Sequence, residues 1–163
     1  MAKYDQIRER YSKYCEQRSK YWQELQYLAG KMAFDFPRYL ELEPCIWTDN
    51  EGITHDYIAL GTWEGDHLKE LTPNLLCGND QLELCFVLRF TIDRNPNSLP
   101  KHHIGYNIRM RYDDEALQVN ADLRTPISVQ CPIEPTDEQF HAVFDVIVSD
   151  VMSRFDGRIF ERG

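Results

Sequence analysis

Long apolar runs are missing from this 163-residue chain. None approaches the roughly twenty residues that cross a bilayer, so no membrane span is expected. The opening Met-Ala-Lys-Tyr-Asp-Gln has no apolar stretch behind its Lys, so no secretory signal is expected either. The five cysteines (15, 45, 77, 85 and 131) are an odd count with spacings of 30, 32, 8 and 46, and none forms Cys-x-x-Cys. That pattern indicates neither a disulfide framework nor a zinc knuckle, and it places the chain in a reducing cytoplasm. There is no Gly-rich phosphate loop, and no Ser stands in a Gly-x-Ser-x-Gly setting. No cofactor is expected.

Positive charge is also scarce, with 18 Lys and Arg against 27 Asp and Glu, for a net charge of −9. Residues 1–34 hold seven basic side chains against four acids and carry +3, which leaves −12 on residues 35–163. Within the latter, residues 41–83 hold ten acids against Lys69 alone. A field of that sign repels phosphate backbones and favours basic protein surfaces, so direct nucleic-acid binding by the body is not expected.

Aromatic residues, by contrast, are plentiful at 12%, nine of them Tyr. Many lie in one stripe: Tyr4, Ile7, Tyr11, Tyr14, Tyr21, Leu25, Leu28 and Met32 hold a single helical phase for four heptads, broken only at Arg18. About thirty residues at 1.5 Å each make a rod of roughly 45 Å, whereas a sheet of five or six strands is about 25 Å wide. Part of the helix over 1–34 should therefore overhang the body, and apolar surface left in water invites a partner. A homodimer through residues 4–32 is the expectation. The helix should stop before Pro37, because a residue preceding Pro is pushed out of the helical region.

Strands follow. Leu40 and Leu42 alternate with Glu41 and Glu43 in a strand over 39–43, with Pro44 marking an edge or a bulge. Asp49-Asn-Glu-Gly reads as a turn, and residues 57–60 with Trp63 as the returning strand. Residues 64–80 read as a loop holding a helical turn or two. Residues 82–93 form a central strand, with Leu82, Leu84, Phe86, Leu88, Phe90 and Ile92 on one face and Cys85 and Val87 on the other. After a loop over 94–103, residues 104–112 and 117–124 alternate apolar and polar side chains around Asp113-Asp-Glu, a hairpin with one wet face. A short strand over 127–131 ends at Pro132. Thr136-x-x-Gln139 is a capping box for a last helix whose stripe runs through Phe140, Val143, Phe144, Ile147, Val151, Met152 and Phe155, with Gly157 ending it. Residues 158–163 read as a loose tail. The fold class is α+β: one domain over 1–163, with a single antiparallel sheet of five to six strands and both helices packed on one face.

Candidate chemistry is thin. Glu64, Asp66 and His67, with His55 and Asp56 on the strand before them, supply metal-ligand types. No spacing fixes two of them on one element, however, and sequential His55 and Asp56 face opposite sides of a strand. A nucleophile needs a base and an orienting group, and nothing near Lys101-His102-His103 or His141 provides that relation. Arg109 and Arg111 share a face and, with Arg124, could hold an anion; pairing with Asp122 across the hairpin is the plainer reading. No catalytic residue and no metal ligand is therefore assigned.

The function expected is a non-catalytic acidic protein that binds a basic partner surface through Tyr4, Tyr11, Tyr14, Tyr21 and Leu25 on the helix and Glu41, Glu43, Glu64 and Asp66 on the body. An inhibitor of a nucleic-acid-processing complex carried by a phage or mobile element has this profile, as does an immunity protein. The alternative is a small dimeric chaperone or adaptor, and the minority reading a small hydrolase or metal-dependent enzyme.

Overall fold

Helix-forming residues dominate the first forty positions, and in the computed structural model, which describes residues 2–161, they form one helix, α1 (Lys3–Tyr39). Its 37 residues make a rod of about 55 Å. The helix passes through Pro37 instead of stopping before it. Phe36 explains why: it is fully buried, with ring centroids 4.3 Å from Phe144 and 5.6 Å from Phe90, and this packing holds the last turn helical. Pro37 forfeits one donor, while Leu40 N–H still reaches Phe36 C=O at 3.0 Å and Leu42 N–H reaches Pro37 C=O at 2.9 Å. The strand expected over 39–43 is absent. Tyr39 is the last helical residue and Glu41, at φ 55°, turns the chain through the left-handed region.

Nine strands follow: β1 (Ile46–Thr48), β2 (Thr54–Asp56), β3 (Ile58–Glu64), β4 (His67–Glu70), β5 (Cys77–Gly78), β6 (Leu84–Ile92), β7 (His102–Asp113), β8 (Ala116–Asp122) and β9 (Pro126–Cys131). β1 and β2 form a small hairpin of their own around Asp49, whose carboxylate accepts the backbone N–H groups of Glu51 and Ile53. The other seven make one antiparallel sheet in the order β4-β3-β6-β7-β8-β9, with β5 pairing beside β6. The sheet thus exceeds the expected five to six strands by β4 and β5, both from the segment read as a loop. A two-residue turn with Gly65 at φ 63° creates β4, since glycine accepts the positive φ that the first central position demands. The segment's helical content is one 3-10 turn, Pro73–Leu75.

The β7–β8 hairpin keeps the alternation read from sequence: Ile104, Tyr106, Ile108 and Met110 pack inward with Leu117, Val119 and Ala121. In β6, Leu84, Phe86 and Leu88 do the same, but Leu82 lies outside the strand, exposed and at φ 61°. Helices cover only this face. On the other, Val87 is buried and the Trp63 ring lies over Gly105, where a Cβ would come within 2.4 Å of the indole.

The second helix, α2 (His141–Arg154), starts later than the capping box implies. Gln139 is turned inward, its amide donating to Pro132 C=O at 2.8 Å and Ile133 C=O at 3.3 Å, and the Thr136 C=O is used by Lys31 of α1. Burial of Gln139 and the pull from α1 therefore take the place of the cap. Phe140, Val143, Phe144 and Ile147 enter the core, whereas Met152 and Phe155 are exposed and the helix ends before Gly157. Gly157–Phe160 is a 3-10 turn in the segment read as loose tail; positions 162–163 lie outside the described residues.

Candidate functional site

The reactive side chains singled out in sequence do not converge. His55 lies in β2, while Glu64, Asp66 and His67 sit at the far tip of the β3–β4 turn, exposed to solvent. Seven strand residues at about 3.3 Å separate the two groups by roughly 20 Å. Among the described residues, no three His, Cys, Asp or Glu side chains come together as a metal site.

His55 instead bonds Asp49 at 2.8 Å and stacks on Trp47 at 4.5 Å, and that bond, helped by the Ile53 and Glu51 N–H groups, holds the Asp49 carboxyl below its ordinary value. His103 Nδ1 lies 2.9 Å from Thr91 Oγ1. The pair resembles a base with a nucleophile, but Thr91 is only 4% exposed, so its hydroxyl is closed to substrate. Lys101 Nζ is enclosed as well. It donates to Asp93 Oδ2 at 2.8 Å and Pro96 C=O at 3.0 Å, which ties down the loop between β6 and β7. Burial and the neighbouring Asp93 push the Tyr57 phenol, which donates to that carboxylate, up to about 12. His102 meets Phe155 edge-on, and His141 packs against Tyr39. Each of these groups has a structural partner. Arg109 reaches Asp122 at 3.4 Å across the hairpin, and the backbone N–H of Arg124 donates to Asp150 of α2 at 3.3 Å.

Two other features stand open. The first is a groove of about 690 Å³ between the C-terminal end of α1 and β3. Ala33, Phe34, Pro37, Leu42 and Ile58 give it an apolar lining, and Glu41, Glu43 and Asp56 stand around it against the single charge of Arg38. It continues into a cavity of about 480 Å³ that shares Ala33, Asp56 and Ile58 and runs on toward Leu71 and Pro73.

One side of this groove is unpaired β-edge. Thr91 N–H donates to Tyr57 C=O at 2.9 Å, which makes 57–91 a hydrogen-bonded pair. The next pair, Ile58–Phe90, is then of the non-bonded kind, and the N–H and C=O of Ile58 point away from β6. β4 pairs only with residues 61–64, and Leu71 N–H takes the Leu60 C=O. The two polar groups of Ile58 therefore lie on the groove side with no backbone partner among the described residues, while the residue as a whole is 5% exposed.

The second open feature is the first half of α1. Tyr4, Ile7, Tyr11 and Tyr14 are each more than half exposed. The stripe changes owner after residue 20. Tyr21 is half-buried, donates to Leu82 C=O and meets Tyr112 edge-on. Leu25, Leu28 and Met32 are buried in the core of the chain itself. Leu25, expected on a partner surface, is thus unavailable to one, and a dimer through residues 4–32 can use only the part before residue 20. Of the acidic candidates, Glu41 and Glu43 line the groove while Glu64 and Asp66 lie far from it.

Phe34, Arg38 and the unpaired edge at Ile58 have no counterpart in the sequence reading, and Asp56 enters it as one acid of the 41–83 stretch and as a metal-ligand type. Tyr27 and Phe34, seven apart and both exposed, were the available signal of a second wet stripe. Compared with family models, with curated proteins and with solved structures, the chain matches none. The functional reading therefore rests on the α+β fold and on its two open surfaces.

Proposed function

We propose that this chain is a non-catalytic binding protein whose acidic groove receives a basic segment of another protein. The observation that carries the reading is the combination found at the groove: an apolar floor, three carboxylates around it, and beside them a stretch of β3 edge whose N–H and C=O at Ile58 have no backbone partner among the described residues. Extended chains add to such edges through their backbone, and side-chain pockets then set specificity. The carboxylates select Lys or Arg on the incoming segment and raise its association rate. An inhibitor that occupies the basic channel of a nucleic-acid-processing complex, or an immunity protein, would use a surface of this sign. The unpaired edge also supports the chaperone or adaptor reading, in which the groove holds a client segment.

The test is a pair of extended probe peptides, alternating Val with Lys in one and Val with Glu in the other. The Lys peptide should bind and the Glu peptide should not, with the difference shrinking as salt passes about 0.15 M. Reversing Glu41, Glu43 and Asp56 to Lys should invert the preference. Equal binding of both peptides by the native chain would remove the basis for a charge-selective groove.

A further inference from the structure

The exposed half of α1 has a charge pattern opposite to that of the groove. With Tyr4, Ile7, Tyr11 and Tyr14 as the a and d positions of a heptad, the flanking e and g positions are Lys3, Arg8, Arg10, Cys15 and Gln17. The acids of this stretch, Asp5, Glu9 and Glu16, fall at b and f, outside the e and g rows; Asp5, next to the e row, reaches Arg8 at 3.6 Å in an exposed pair of little strength. Arg18 occupies the next a position. The basic groups also lie against the stripe in space: the Arg8 guanidinium is 4.7 Å from the Tyr4 ring centre, and that of Arg18 is 5.6 Å from Tyr14. Apart from half-buried Cys15, every residue from Lys3 to Lys20 is exposed, so none of the described residues covers this surface.

We infer that residues 3–20 dock an acidic amphipathic helix of a different protein. Charge complementarity decides between occupants. In a parallel pair of two copies, a g position meets the e position of the following heptad, which sets Lys3 against Arg8 and Arg10 against Cys15. In an antiparallel pair g meets g and e meets e, and again no acid is present to answer a base. No arrangement of two copies along this stripe gives an interfacial ion pair, and like charges in register repel. A partner helix with apolar a and d residues and Glu at e and g answers Lys3, Arg8 and Arg10 together. The Tyr rings suit such an interface, since their hydroxyls remain at the wet rim while the ring bodies are covered. This surface goes beyond the groove reading, because it selects the opposite charge and lies on the opposite half of α1.

The experiment uses the full chain and two designed helical peptides of about three heptads, both with Leu at a and d, one with Glu and the other with Lys at e and g. Calorimetry should show binding of the Glu peptide and at least about tenfold weaker binding of the Lys peptide. Tyr11→Glu should weaken the Glu peptide by at least about tenfold while leaving the unfolding midpoint and the groove peptides unaffected, which separates this surface from the groove. The chain alone should sediment as a monomer at micromolar concentration. Equal binding of both peptides, or of neither, would overturn the inference. A dimer of the chain abolished by Tyr11→Glu would make a second copy the occupant. Binding to vesicles containing phosphatidylserine without binding to the Glu peptide would make it an anionic lipid surface.

Discussion

Leu25 and Tyr11 belong to one heptad stripe and carry opposite structural roles, so replacing each by Ala measures where the helix passes from solvent into the core. Leu25 has no accessible surface and packs in the single cluster shared by α1, the sheet and α2. Truncating a fully buried Leu removes its transfer free energy and leaves a cavity, at a cost of roughly 2–5 kcal/mol. For a domain of this size a loss of about 3 kcal/mol lowers the unfolding midpoint by roughly 6–12 °C. Tyr11 is 64% exposed and outside that cluster. Tyr11→Ala should shift stability by no more than about 0.5 kcal/mol, and in the stabilising direction if anything, because Ala is the better helix former. Urea unfolding followed by far-UV circular dichroism gives both values, and hydrogen exchange gives the matching map. Amides of residues 3–18 should exchange far faster than those of 25–36, since a helix held only by its own bonds is marginal in water. A loss above about 1 kcal/mol for Tyr11→Ala, or one that varies with protein concentration, would refute the division of the stripe.

Three further outcomes follow from the same packing. Asp150 accepts from Tyr106 Oη at 2.7 Å, Arg154 Nε at 2.7 Å and the Arg124 N–H at 3.3 Å; Asp150→Ala strands the buried Tyr106 hydroxyl while Arg154 can turn to water, so it should cost about 1–3 kcal/mol, and Tyr106→Phe about 1 kcal/mol. Burial raises the Asp150 carboxyl, but the Arg154, Tyr106 and Arg124 donors outweigh it and hold the group below its ordinary value. Its contribution is therefore complete above about pH 3.9 and is lost as pH falls through the lowered folded value; Asp150→Asn should flatten that part of an acid titration of stability. Gly105→Ala would place a Cβ 2.4 Å from the Trp63 ring, so the indole must leave and release Asn107, which its Nε1–H bonds at 2.9 Å; a shifted Trp emission spectrum and a loss of about 1–3 kcal/mol are expected. His67→Ala, at the exposed β3–β4 turn, should change stability by less than about 0.5 kcal/mol, and protein purified without chelator should hold less than one equivalent of zinc or manganese by elemental analysis.

Elements with a strict local period were legible. The β7–β8 hairpin alternates without a fault because one face is buried, and a one-residue slip would turn every apolar side chain to water. β6 and the body of α2 were read for the same reason. Sequence reasoning failed where a distant contact overruled a local preference. Pro37 should end α1, yet the Phe36–Phe144 packing carries the helix past it, and the alternation at Leu40–Glu43 is then spent on a turn. Thr136 and Gln139 have the spacing of a cap, but the inward turn of Gln139 delays α2 to His141. The candidate site was legible only in part: Glu41 and Glu43 were named for their charge, whereas Ile58, whose backbone is left unpaired at the edge, reads as an ordinary core residue.

The sequence by itself determined the class of fold, the basic sign of the first helix and the acidic sign of the body, because periodicity and charge are local properties that no packing can alter. Tertiary structure decided which surfaces stay open. Whether Leu25 meets a partner or its own sheet depends on where α1 lands on β3 and β6. Whether Ile58 keeps a free N–H and C=O depends on β4 ending short of it. Both are relations between residues far apart in the chain, fixed by the burial of the common core rather than by neighbouring side chains.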